Sequence, residues 1–183
     1  MNVKEQRGAN RAATGGFTLL EILIVVMIIG ILGMAVMPQV QSLMQETRLS
    51  EATGELESAL EYAADLAATY QRPFGVKAAG GSTVFSVFDA RYKNDAAAHT
   101  NATPPVTAFG VVMNPVDKKW YTIDFSALPT LGGVVISTAP PSGETVFYPA
   151  GNCSALTNTF VVSLGTDADT LNVNGVTGRI TVQ

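Results

Sequence analysis

The chain has 183 residues, of which 47% are hydrophobic and 14% charged, and a formal net charge of −4. That length holds one ordinary domain and an appendage, and a mildly acidic chain without a basic patch excludes electrostatic capture of nucleic acid as its main task. A single cysteine, Cys153, excludes an intrachain disulfide and a metal–thiolate cluster; it reads as a small, part-buried apolar residue, with an intermolecular bridge as the alternative.

Residues 1–16 form a polar leader carrying Lys4, Arg7 and Arg11 against Glu5, a net charge of +2. Phe17–Met37 follows, 21 residues whose only ionisable side chain is Glu21. At about 1.5 Å per residue, a helix of that length matches a hydrocarbon core of roughly 30 Å. The pattern predicts a transmembrane helix over 17–37, and the positive-inside bias of the basic leader places the N-terminus in the cytoplasm and the remainder across the membrane. An ordinary secretory signal is the competing reading, with small residues at Gly33-Met34-Ala35 as a cleavage site. The long polar leader, the apolar run past Ala35 and the acid at Glu21 all oppose it. A carboxylate in that position costs up to about 2.5–3.5 kcal/mol on insertion, which a plain export signal gains nothing from.

Gly15-Gly16-Phe17-Thr18-Leu19-Leu20-Glu21 resembles the processing motif of type IV prepilins and type II secretion pseudopilins. The resemblance implies that a prepilin peptidase cuts between Gly16 and Phe17 on the cytoplasmic side and methylates the new Phe17 amine. It also implies that Glu21 pairs with the N-terminal amine of a neighbouring subunit during assembly. Pro38 stands at the family's helix-kinking place, and with Gly30 it bounds a stretch that the resemblance implies can open. Taken without the resemblance, Gly30 and Gly33 permit close helix approach in a membrane or are simply tolerated by lipid, and Pro38 bends or locally opens a helix.

Beyond Pro38 the pattern becomes amphipathic, and residues 38–71 are expected to continue the helix. Leu49, Ala52, Leu56, Ala59, Ala63, Leu66 and Tyr70 recur at steps of three and four, with Leu60 and Ala67 on the same stripe. Glu51, Glu55, Glu57, Glu61 and Asp65 fall on the opposite side, as a solvated face or a docking site. Gln71-Arg72-Pro73 ends the helix.

Residues 72–183 read as a β-rich head. Strands are expected at 74–77, 83–88, 108–113, 120–125, 133–137, 145–148, 159–164, 171–173 and 179–182, separated by Gly-, Pro- and Asn-containing turns. Asn174-Gly175 with Gly178 predicts a closing hairpin, and Asn94–Pro105 reads as a mobile surface loop. The fold class is therefore α+β, a pilin fold by the resemblance: a long N-terminal helix on an antiparallel β-rich head. Tyr70–Val76 and Gly178–Val182 are similar to the H-type minor pseudopilin and related minor pilins.

Chemistry-bearing motifs are few. His99 lies in the polar loop without an obvious partner. Asp167-Ala168-Asp169 supplies too few oxygen ligands for calcium and reads as a turn. Asn101-Ala102-Thr103 matches a three-residue sequon. No enzyme activity, cofactor or metal is expected. The expected role is a structural, minor subunit of a secretion pseudopilus or type IV pilus. Its implied partners are other pilin or pseudopilin subunits, the prepilin peptidase and an inner-membrane assembly platform; its place is the inner membrane, with a periplasmic head. The alternative is a membrane-anchored binding module that recognises secreted substrate, DNA or a surface.

Overall fold

A single helix, α1, runs from Leu19 to Tyr70 in a computed structural model that describes residues 17–183, apart from the side chains of Ala35, Val36 and Pro38. The leader, Gly16 included, lies outside the described residues. Contacts divide the chain into two units, one ending at Ser42 and the other Leu43–Gln183.

In the second unit, the helical stripe becomes the core as its spacing predicts. Leu49, Ala52, Leu56, Ala59, Leu60, Ala63, Leu66 and Ala67 are all buried. Glu51, Glu55, Glu61 and Asp65 are exposed on the other side, with Glu57 half-buried. Tyr70 departs from the stripe. The helix stops there because Gln71 enters the left-handed region (φ 53°) and its side-chain amide donates to the Ala68 carbonyl at 2.6 Å. The Tyr70 ring turns instead toward Phe74 and the Arg72 guanidinium.

Eight strands follow: β1 (Phe74–Ala78), β2 (Val84–Asp89), β3 (Thr122–Asp124), β4 (Val135–Thr138), β5 (Glu144–Phe147), β6 (Thr157–Leu164), β7 (Asp167–Asn174) and β8 (Ile180–Val182). They form two antiparallel four-stranded sheets, in the orders β3-β2-β1-β5 and β4-β6-β7-β8, bridged at Ser82–Ile136. The period-2 alternation of each strand sends one set of side chains inward: Phe74 and Val76, Phe85 and Val87, Phe160 and Val162, Leu171 and Val173. These close on the α1 stripe in one core, each large side chain contributing about 1.5–3 kcal/mol by burial. The α+β architecture expected from the sequence, a long N-terminal helix with an antiparallel β-rich head, is the one observed.

Two local expectations are corrected. Residues 108–113 form no ladder strand: Ala108–Gly110 is a 3₁₀ turn in which Phe109 (φ 59°) and Gly110 (φ 77°) are both left-handed, followed by single bridges at Val111, Val112 and Met113. A left-handed bulky residue is strained by about 1–3 kcal/mol. Gly110 is required there, since a Cβ would meet the Asp89 carbonyl at 2.6 Å. Asp167 and Asp169 lie in β7 rather than in a turn, because Gly165 (φ 65°) and Thr166 already close a two-residue hairpin with Leu164 opposite Asp167. Beside the apolar stripe, the polar Thr53 is also buried, its hydroxyl donating to Asp169 Oδ2 at 3.0 Å. The hairpin expected at Asn174–Gly178 is present, with Gly178 left-handed and donating to the Asn174 carbonyl.

Candidate functional site

Leu19–Met34 is the most unusual surface of the described chain. Apolar side chains are exposed on every face, from Leu19 and Leu20 through Ile28, Ile29 and Met34. By length and composition this helix is able to cross a membrane. Gly30 and Gly33 leave open space on its surface, for nothing lies within 4 Å of a Cβ built at either. The helix continues through Gly30 and Pro38.

Glu21 sits in the first turn. Thr18 precedes the helix, and its hydroxyl accepts the Glu21 backbone N–H at 3.2 Å, beside the Thr18 carbonyl that accepts from Glu21 and Ile22. Thr18 is thus the N-cap and Glu21 the third helical residue, the spacing of a capping box. The pattern Thr-x-x-Glu signals this from sequence alone. A carboxylate there also meets the positive end of the helix dipole, so Glu21 has a role in starting the helix as well as its cost in lipid. Phe17, just before the cap, is 78% exposed. Gly16, its partner across the expected scissile bond, lies outside the described residues.

At the other end of α1, ionic side chains lock the helix exit to the first sheet. Arg72 Nη2 lies 2.9 Å from Asp89 Oδ2 and donates to the Thr103 carbonyl at 2.6 Å, while its guanidinium covers the Phe74 ring at 5.0 Å. Asp89 also accepts from the Arg91 backbone at 3.1 Å and its side chain at 3.4 Å, and the Asp89 carboxylate is fully buried.

His99, expected to lack a partner, has two. Its Nε2 lies 2.7 Å from Asp95 Oδ2, and its ring stacks on Tyr92 with centroids 4.3 Å apart. The segment 94–105 is tied back through paired hydrogen bonds between His99 and Val106. The Ala97 backbone N–H and then His99 hold the Asp95 carboxyl below the usual carboxylate range. These contacts staple the loop to the head.

Cys153 is buried, its Sγ 3.7 Å from the Asn174 carbonyl, and burial pushes its thiol from 9.0 up to about 11. Both states hold the proton below pH 9; above it the unfolded thiol ionises first, so this contribution to stability falls as pH rises toward 11. Alkylation by iodoacetamide at pH 8 is expected to run at least about a hundredfold slower than for an exposed thiol. Denaturant should restore the ordinary rate, and fast labelling of the folded protein would show an accessible thiolate instead.

No family model matches the chain, and no curated protein matches it. Among solved structures, it is similar to two crystal forms of the Pseudomonas aeruginosa (strain PAO1) type IV minor pilin FimU. The P21 form has 19% identity and a TM-score of 0.48 over 75% of this chain and 90% of that one. The P65 form has 19% identity and a TM-score of 0.46 over 74% and 92%. Likeness at this level leaves the functional reading to the chain's own residues.

Proposed function

We propose that the chain is the precursor of a filament subunit of the type IV pilus and type II secretion pseudopilus class. Prepilin peptidase cuts it between Gly16 and Phe17, Phe17 is methylated, and α1 both anchors the subunit and packs in the filament. In this reading 1–16 is a cytoplasmic leader, 17–37 spans the inner membrane and 38–71 extends the helix into the head of 72–183 in the periplasm. Gly30 and Pro38 give the helix the freedom to open on assembly, and the partners are other subunits, the peptidase and an inner-membrane platform. The observation that carries the reading is the helix Leu19–Met34, apolar on all faces yet opened by a capped acid, Glu21. Lipid accommodates the apolar surface before assembly, and neighbouring helices do so afterwards. A plain anchor could start its helix on the Thr18 cap without placing a charge in lipid.

Intact-mass measurement of protein extracted from membranes tests this. Removing 16 of 183 residues leaves a mature chain of 167, beginning at methylated Phe17. A chain beginning at Val36, after a signal-peptidase cut, would replace the filament reading with ordinary export.

A further inference from the structure

The outward face of the β3-β2-β1-β5 sheet is partly roofed by the segment 90–112. Between roof and sheet lies a cavity of about 220 Å³. Its floor is the cross-strand row Ser86–Lys77–Glu144, contributed by β2, β1 and β5 in register. Lys93, Asn94 and Phe109 stand at its walls. Lys93 is paired with Glu144, whereas exposed Lys77 has no ion pair among the described residues. Phe109 is 57% exposed despite its left-handed backbone, so burial does not offset its strain. Three hydrogen bonds hold the turn: Phe109 N–H to the Asp95 carbonyl, Gly110 N–H to that of Thr107, and Thr107 N–H to that of Val111.

We propose that this cavity binds an acidic saccharide unit. A sugar ring has an apolar C–H face and a rim of hydroxyls, which calls for an exposed aromatic plate beside mixed donors and acceptors. Phe109 is the plate, Ser86, Asn94 and Glu144 meet the hydroxyls, and Lys77 takes the carboxylate. A purely anionic peptide needs the cation but neither the plate nor the acceptor Glu144. The site is independent of filament assembly, so its failure leaves that reading untouched.

The test is calorimetric titration of the full chain in detergent micelles with trigalacturonate, galactotriose and triglutamate, and with monomeric galacturonate to separate a free sugar acid from a chain-borne one. Saturable binding of an acidic sugar is expected, with neutral galactotriose weaker by about tenfold or more. Lys77→Gln should weaken it about tenfold and flatten its salt dependence. Phe109→Gly keeps the left-handed turn while removing the plate, so it should weaken binding about tenfold with an unchanged or higher melting temperature. No saturation by any acidic sugar at about 10 mM, wild-type affinity in both variants, or triglutamate binding as tightly as trigalacturonate would each overturn the proposal.

Discussion

Glu21→Val is expected to leave the precursor cut and inserted, yet to reduce crosslinking to neighbouring subunits by at least about tenfold. Replacing the acid removes an insertion cost of up to about 2.5–3.5 kcal/mol, and the expected scissile bond, four residues earlier, is untouched. What is lost, on the proposed function, is a charge-assisted contact with a neighbour's Phe17 amine in low dielectric. Removing one side of such a pair costs about 3–5 kcal/mol, because the other charge stays uncompensated. The Thr18 cap introduces a competing role, since Glu21 also occupies the third position of a capping box. Glu21→Gln separates the two. Glutamine serves the capping box but carries no charge, so it should fail in assembly as valine does. Near-wild-type crosslinking of Glu21→Gln, with failure of Glu21→Val, would assign the residue to helix initiation. Normal crosslinking by both would remove any assembly role.

The parts of the fold that local patterns dictate were legible. The stripe from Leu49 to Ala67 is a 3.6-residue periodicity, and each of its residues through Ala67 is buried. Strands with alternating apolar residues, such as Phe160 and Val162 in β6, were equally plain. Thr53 broke the pattern because its partner, Asp169, is 116 residues away and only the β7 register brings it near. Phe109 looked like a strand residue because an aromatic followed by the β-branched pair Val111-Val112 reads as extended. The left-handed Phe109-Gly110 pair instead answers to the close approach of the Asp89 backbone, which no local signal encodes. The same holds for the candidate sites. Glu21 and its cap are four consecutive residues and readable, whereas Lys77, Phe109 and Glu144 converge only through strand pairing and a folded-back loop.

Asp89→Asn is expected to destabilise the head by about 3–5 kcal/mol, lowering its melting midpoint by roughly 10 °C. The amide keeps the side chain's volume, so the loss is electrostatic. Arg72, with its side chain only 16% exposed, would keep its charge in a site whose only carboxylate partner among the described residues is gone. The Thr103 carbonyl would remain as its acceptor, but a neutral oxygen offsets only part of that cost. The damage should reach the roof of the outward cavity, since Arg72 ties down Thr103 and the Asp89 backbone packs against Gly110. Hydrogen exchange of segment 90–112 should therefore accelerate more than that of β6 and β7. Replacing both partners, Arg72→Met with Asp89→Leu, should cost less than Asp89→Asn alone, because no buried charge is stranded, Arg91 being exposed. The more exposed Lys93–Glu144 pair provides the contrast: Glu144→Gln should cost no more than about 1 kcal/mol. Thermal melts of the four proteins decide it. An Asp89→Asn midpoint within about 2 °C of the parent would mean that the Arg72–Asp89 contact contributes no net stability, and that the aromatic rings around Arg72 suffice to hold the helix exit.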